Sequence, residues 1–333
     1  MMHNVGEFMK FLLKNLFPSR GELGLSFHSD GVALAWRDKG PGSPSVLRHM
    51  QFLAFQDPQE GIHLFKETVR RENLGGKRCV AVLDVGDYQF LQVTPPQVPE
   101  SEMRSALLWQ VRDLISYPVE ETVLDFFPLP QQGSRSRSPV AYAVAAHKET
   151  LTQRIAFLQE AKIRVSALDI PEMALRNIGI RLPESQQGMA LLYLGEQTGV
   201  ILLIREKMIY LARKLGGLND FFLPSAEDQT LSGDQDSSAR PEELPERLVL
   251  EIQRSLDFFE SSFRLSAISS LVVFPLPPGY EASLLPILQS GLALPCRCLD
   301  LKELFTVGEP FPEAEQERCL TAIGAFLRAT EGN

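Results

Sequence analysis

Apolar residues recur along this chain with two different periods, and each change of period marks an element. Between residues 5 and 16 the spacing is helical: Val5, Phe8, Met9, Leu12, Leu13 and Leu16 share one face, opposite Glu7, Lys10, Lys14 and Asn15. Pro18 stops that helix. From Glu22 the period drops to two. The runs GLSFHSD, VALAWRD and VLRHMQFLAF predict three consecutive strands, with turns at Ser29-Asp30-Gly31 and Gly40-Pro41-Gly42. A helix is expected over 62–71, with Phe65 and Val69 inward and Gly75-Gly76 as its stop. Strands CVAVLD and YQFLQVT follow, then a helix over 100–115 with Met103, Leu107, Val111 and Ile115 on one stripe. Strands TVLDFF and VAYAVAAH, a helix over 148–161, strand VSALD and a short helix from Pro171 close the first half.

The second half restarts with the same grammar. ALLYLG, VILLIRE and MIYLARK predict another three-strand meander. LSFHSDGVALAWRD and LYLGEQTGVILLIRE share one layout of apolar strand, polar turn, Gly and apolar strand, and Gly31 and Gly199 lie 168 residues apart. One architectural unit used twice is the simplest reading. A helix over 243–263 carries Leu248, Ile252, Leu256, Phe259 and Phe263 on one face. Strand LVVF, a helix over 282–289, a strand near 293–299 and a helix over 313–329 complete the pattern. Strands in threes with alternating helices, repeated, give an α/β fold of two lobes. The expected divisions are an amphipathic helix at 1–20, a first lobe at 21–186 and a second at 187–333.

Charge sharpens this picture. The 333 residues carry 33 Lys+Arg and 42 Asp+Glu, a net charge of −9, which argues against a partner made of nucleic acid. Seven acids and one base fall within 224–246, a stretch too polar to offset its ordering entropy, so a mobile acidic loop is expected there. Four cysteines cannot form a disulfide framework, and Cys296-x-Cys298 has no second pair or nearby His to complete a metal tetrad. The most apolar stretch, MALLYLGEQTGVILLI, is interrupted by Glu196 and Gln197 and reads as a hairpin, not a bilayer span. The N-terminal run is too short and too charged for a secretion signal. A cytoplasmic protein is expected. Its N-terminal helix either packs on its own domain or docks on a membrane surface or partner, with Phe8, Leu12 and Leu16 as the contact residues.

Catalytic constellations are scarce. The five histidines, at 3, 28, 49, 63 and 147, have no metal-ligand spacing, and no nucleophile elbow, Walker loop or dinucleotide fingerprint occurs. Gly75-Gly76 and Gly216-Gly217 read as turns, and Asp84-Val85-Gly86-Asp87 as a turn with side chain to backbone bonding.

Four segments, in order, carry a resemblance. They are VPESEMRSALLWQVRDLISYPVEETVLDF, VSALDIPEMALRNIG, LARKLGGLND and EIQRSLDFF. With the two meanders, they make the chain resemble the PilM-like type IV pilus assembly proteins of the actin-like (FtsA-like) ATPase superfamily, most of all the branch serving the mannose-sensitive haemagglutinin (MSHA) pilus. The resemblance runs from about Glu22 to Arg328. It implies an actin-like ATPase (RNase H-like) fold with an inserted PilM/FtsA-type subdomain at about 85–165. It also implies a cytoplasmic adaptor peripheral to the inner membrane, held by the cytoplasmic tail of a PilN-like protein. Trp109, Val111, Tyr117 and Val123 are the partner-groove candidates, although Trp109, among Leu107, Leu108 and Val111, reads as core.

The departures from that family concern the nucleotide. Its first phosphate loop reads G-I-D-I-G-S-S-S-V-K; here GLSFHSDGVA puts Ser26 for Asp, His28 for Gly and Ala33 for Lys. Tyr193-Leu194-Gly195 stands where the second loop has D-I-G, and FPLPPG stands where an adenine-side Gly-Gly is expected. Mg²⁺ in such sites is held or oriented by hard carboxylate oxygens and waters, and Ser26 and Tyr193 supply no charge. Gly195, Gly216, Gly217 and Asn219 keep the family's identity as remnants of the site, and Arg254 in EIQRSLDFF reads as solvent-exposed. The expectation is a pseudo-ATPase with no catalytic residues, no metal and no firm ATP or Mg²⁺ requirement. A nucleotide-binding actin-like ATPase and the cytoplasmic module of a type II secretion platform protein stay open as alternatives.

Overall fold

A computed structural model describes residues 22–37, 47, 49–130, 139–195, 199–215, 244–263, 265–276, 280–305 and 313–331. The helix expected over 5–16 and residues 224–243 of the acidic stretch lie outside the described residues. The chain forms two compact units: the described residues of Met1–Ile178, Phe305–Phe311 and Arg318–Asn333 make the first, and those of Gly179–Leu304 and Pro312–Glu317 the second.

In the first unit the alternating segments form β1 (Glu22–His28), β2 (Gly31–Arg37) and β3 (His49–Ala54), an antiparallel meander. Two parallel strands, β4 (Arg78–Val82) and β8 (Arg164–Asp169), extend it in the order β3-β2-β1-β4-β8. A second, antiparallel sheet runs β5-β7-β6, built from β5 (Tyr88–Val93), β6 (Thr122–Pro128) and β7 (Ala141–His147). It occupies the segment expected as an insertion.

Helix α1 (Pro58–Arg71) starts where Asp57 accepts from the N–H groups of Gln59 and Glu60 at 2.8 and 2.9 Å, with Pro at the first turn. It ends earlier than the glycine pair suggested. Asn73, at φ 50°, takes the left-handed position and Leu74 N–H closes on the Val69 carbonyl. Asparagine tolerates that conformation, so no glycine is needed. The α1 stripe of Ile62, Phe65 and Val69 buries against the first sheet, and Phe65 stacks on Phe157 with ring centroids 5.0 Å apart. Such a side chain contributes about 2–3 kcal/mol by leaving water. Phe157 belongs to α3 (Lys148–Glu160), while α2 (Glu100–Val111) covers the second sheet through Leu107 and Val111.

The second unit repeats the plan. Strands β9 (Met189–Leu194), β10 (Gly199–Arg205) and β11 (Met208–Leu215) form a meander, and parallel β12 (Ser270–Val273) and β13 (Cys296–Cys298) extend it as β11-β10-β9-β12-β13. As β1 pairs in parallel with β4, so β9 pairs in parallel with β12. Helix α5 (Leu244–Phe263) buries Leu248, Ile252, Leu256 and Phe259, and Tyr210 meets Phe259 edge-on at 5.5 Å. Helix α6 (Glu281–Leu292) packs beside it.

The division into compact units falls elsewhere than the boundary read from the sequence. The second unit opens at Gly179, not 187, and the C-terminal helix α7 (Glu313–Glu331) joins the first unit from Arg318 onward. Its seat there is made by α4 (Pro171–Gly179) and β1, through missing side chains. A Cβ on Gly24 would stand 1.9 Å from the Ala322 carbonyl oxygen, and one on Gly324 would stand 2.0 Å from that of Ala174. Only glycine allows such backbone approach.

Candidate functional site

The β1–β2 hairpin, where the sequence places the first phosphate loop, closes in a two-residue turn: His28 pairs with Gly31 across Ser29 and Asp30. Ser26 is buried, and its hydroxyl accepts a 2.8 Å hydrogen bond from Thr321 Oγ1 of α7. One helical turn earlier, the Arg318 guanidinium lies 3.5 Å from the Phe52 ring centroid and pairs with the Asp30 carboxylate. His28 meets the same Phe52 edge-on at 5.3 Å. Burial, and then the nearby Arg318 charge, lowers the His28 imidazole to about 4, so the ring is neutral at pH 7. Its Nε2 is shielded from solvent and has no hydrogen-bond partner among the described residues.

In the second unit, Tyr193 stands at the end of β9 with only 6% of its surface exposed. Its hydroxyl donates to Glu317 Oε1 at 3.2 Å, and its ring folds over Gly195. A Cβ on Gly195 would stand 2.5 Å from the Tyr193 oxygen. The phenol therefore covers the glycine backbone on that side. Gly216, Gly217 and Asn219 lie outside the described residues, and so do Pro277, Pro278 and Gly279 of FPLPPG. Arg254 is exposed and pairs with Glu251 on its own helix at 2.5 Å.

The open space of the first unit lies elsewhere. A cavity of about 460 Å³ sits between β6, β7, β8, α3 and α4. Leu83, Val123, Phe127, Val144, Ile155 and Leu168 give it an apolar lining. Val123, Asp125, Phe126 and Phe127 of β6 line it, as do Val165, Ala167, Leu168 and Asp169 of β8. Neighbouring residues on a strand point to opposite faces, so both kinds meet one cavity only where the strand's edge faces it. Both strands are the last of their sheets, and no strand pairs with their outer edges among the described residues. The rim is charged. Arg104 donates from Nε and Nη2 to Asp125 Oδ1 at 3.1 and 3.0 Å, and Arg328 of α7 pairs with buried Asp169 at 2.8 Å. The Asp169 carboxylate raises the Arg328 guanidinium further above its ordinary range.

Of the four partner-groove candidates, the structure brings only Val123 to this cavity. Val111 is fully buried beneath α2. Tyr117 is half-buried, and its hydroxyl, pushed up to about 12 by burial, donates to the Ala145 carbonyl at 2.7 Å. Trp109 is 59% exposed, contrary to the expectation of a core residue, because it points away from the Leu107 and Val111 face. Phe8, Leu12 and Leu16 lie outside the described residues. The Asp84–Asp87 turn is held as expected: Asp84 N–H donates to Asp87 Oδ2 at 3.1 Å, while Arg154 takes the Asp87 carboxylate at 2.8 Å. No cluster of metal-ligating side chains occurs among the described residues. Sequence reasoning missed Arg318 and Thr321. Their signal was present, as the two polar residues, three apart, of the otherwise apolar run 318–327.

Residues 69–220 match the family described as type IV pilus assembly protein PilM. No curated protein sequence matches the chain. Among solved structures, a chain of the PilM-PilN type IV pilus biogenesis complex superposes with a TM-score of 0.68 at 20% identity, covering 93% of this chain and 99% of that one. The cytoplasmic domain of EpsL, an inner membrane component of the type II secretion system of Vibrio cholerae, gives a TM-score of 0.48 at 13% identity, covering 92% and 94%. A Bacteroides thetaiotaomicron protein with an actin-like ATPase fold gives 0.49 at 11% identity, covering 86% and 95%. Among the described residues, no helix is long and apolar enough to cross a membrane. Residues 69–220 are thus similar to the PilM type IV pilus assembly family, and the chain shares its α/β fold with that chain of the PilM-PilN complex.

Proposed function

We propose that this chain is a non-enzymatic adaptor of type IV pilus biogenesis, of the MSHA (MshI-like) kind, working at the cytoplasmic face of the inner membrane. Its cavity receives an extended apolar peptide from the cytoplasmic tail of a PilN-like inner-membrane protein. The observation that carries this reading is a pair of strand edges, unpaired among the described residues, flanking one apolar cavity. A peptide laid along β6 or β8 gains main-chain hydrogen bonds, and its alternate side chains enter the lining. The Arg104–Asp125 and Arg328–Asp169 pairs at the rim leave acceptors and donors beside that path. The likeness to a chain of the PilM-PilN complex supports the identity of the partner.

The residues at the two hairpins do not fit a magnesium nucleotide. Ser26 and Tyr193 carry no carboxylate, Ser26 is committed to Thr321, and the Tyr193 ring covers Gly195. Hydrolysis is therefore not part of the proposed role. Calorimetry tests both halves of the reading. The N-terminal cytoplasmic peptide of the PilN-like protein encoded in the same genome should bind the full chain with micromolar affinity or better, whereas ATP with Mg²⁺ should give no heat at millimolar concentration. A silent peptide titration would sink the docking role, and micromolar Mg²⁺-dependent ATP binding would restore a nucleotide-gated adaptor.

A further inference from the structure

We infer that the partner peptide exchanges main-chain hydrogen bonds with β8 at Leu168 and not with β6, and that Asp125 and Asp169 are the positioning residues that confine it there. This assignment rests on the docking reading above and gives it a strand and a register.

Backbone direction decides which groups each edge offers. Along a strand, successive residues turn their N–H and C=O to opposite sides. Leu129 N–H donates to the Val140 carbonyl at 2.9 Å, so Phe127, Asp125 and Val123 face β7, while Leu124, Phe126 and Pro128 face outward. Of these last three, Phe126 is the one that lines the cavity. Its N–H donates to Asp125 Oδ1 at 3.0 Å, and Pro128 has no N–H to give. Beside the cavity, β6 therefore presents carbonyls and no open donor.

On β8, the Asp169 carbonyl accepts from Leu83 N–H at 2.9 Å. Asp169 and Ala167 thus face β4, and Leu168, which lines the cavity, faces outward. Neither main-chain group of Leu168 has a partner among the described residues. The next outward N–H, that of Ile170, donates to Asp169 Oδ1 at 3.0 Å, and the Ile170 carbonyl accepts from Met173 and Ala174 of α4. On the other side of Leu168, the register with β4 shifts between Cys79 and Val80, an irregularity of the kind that ends regular pairing. Leu168 is left as the place where an incoming strand can both give and take a hydrogen bond.

The two aspartates are themselves held, Asp125 by Arg104 and Asp169 by Arg328. An edge N–H occupied in this way is closed to unwanted strands, as sheets commonly arrange at their margins. A peptide slipped by two residues toward Ile170 meets a carboxylate where it needs a donor, so one register remains. The partner is therefore an extended peptide whose residue opposite Leu168 keeps its N–H, which excludes proline at that position.

Amide hydrogen exchange in the full chain, read residue by residue by NMR, tests this with the PilN-like peptide at saturation. The Leu168 amide should exchange ~10-fold or more slowly with peptide bound, while the Phe126 amide changes by less than ~2-fold. Asp125→Ala should release the Phe126 N–H and raise its exchange in the peptide-free chain by ~10-fold or more. Asp125→Asn keeps an acceptor oxygen and should restore the wild-type rate, a rescue confined to one amide that a merely structural side chain would not produce. The Asp125 side chain is 46% exposed, so both variants are expected to fold. Peptide protection of Phe126 equal to that of Leu168, or a Phe126 rate unmoved by Asp125→Ala, would overturn the assignment. Calorimetry on the same samples keeps the two readings apart. Peptide that binds without slowing Leu168 removes the β8 register and leaves the docking role, whereas a silent titration removes the docking role itself and the register with it.

Discussion

The β1–β2 hairpin and the cavity beside β6 and β8 lie in the same unit, yet one is packed to contact and the other is open. Around the hairpin, α7 comes so close that Gly24 has no room for a methyl group, the Thr321 hydroxyl meets Ser26, and the Arg318 guanidinium meets Asp30. Around the cavity, two strands end their sheets with no strand on their outer edges among the described residues, and about 460 Å³ is left unfilled. Packing to interior density is the default for a folded chain. A void of this size with free edges is therefore the feature that needs an external explanation, whereas the filled hairpin explains itself through stability. The hairpin is filled by α7, and the open space of the unit is the cavity.

The same kind of substitution should have opposite consequences in the two places. Gly24→Ala forces a Cβ to within 1.9 Å of the Ala322 carbonyl oxygen, a backbone atom that cannot swing aside. A loss of about 3 kcal/mol or more is expected, read as a lower urea midpoint. Val144→Trp adds far more volume, but Val144 is half-buried and faces the cavity. Its stability should stay within about 1 kcal/mol of wild type, because the ring enters existing space. Equal destabilisation of the two variants would erase the distinction between filled and open regions.

Binding should separate them in the reverse order. Val144→Trp fills the proposed peptide site and should weaken the PilN-like peptide by ~100-fold or more, about 2.7 kcal/mol. Thr321→Val, in the hairpin, should leave that affinity unchanged. Thr321→Val should instead cost about 1–2 kcal/mol of stability, since it strands the buried Ser26 hydroxyl without its 2.8 Å partner. Thr321→Ser keeps the hydroxyl and should recover most of that loss. A Thr321→Val chain with lowered peptide affinity but intact stability would mean that the hairpin still communicates with a ligand.

The contrast was only half visible in the amino-acid order. Both meanders and nearly every helix were legible, because alternation and the 3.6 period are local properties of a sequence. The departures of Ser26, His28 and Tyr193 from a family motif were legible too, since they could be compared with it position by position. What fills them was not, because Thr321 lies 295 residues from Ser26 and Arg318 lies 288 from Asp30. The cavity was hidden for the same reason. Its two edges, at 122–128 and 164–169, become neighbours only after the inserted sheet has formed. Trp109 was misplaced because α2 is apolar on nearly every side, so its composition does not say which face turns inward.

The smallest expected effect comes from His28, and it probes how closed the hairpin is. Its imidazole titrates near 4 in the folded chain against about 6.5 when unfolded, mainly because burial disfavours the cation. Between those values the unfolded chain binds a proton that the folded chain does not, so stability is complete above pH 6.5 and falls as the pH drops toward 4. Solvent screening at this half-buried site reduces the loss to on the order of 1 kcal/mol. The charged groups beside the ring, Arg318 and Asp30, act in opposite directions, with Arg318 the stronger of the two. Urea midpoints at pH 7, 5.5 and 4.5 for the wild-type and His28→Leu chains isolate this contribution from the carboxylates that titrate nearby. The difference between the two chains should shift steadily toward His28→Leu as the pH falls. A constant difference would mean that the His28 ring is solvated, and that the hairpin is as open to water as the cavity.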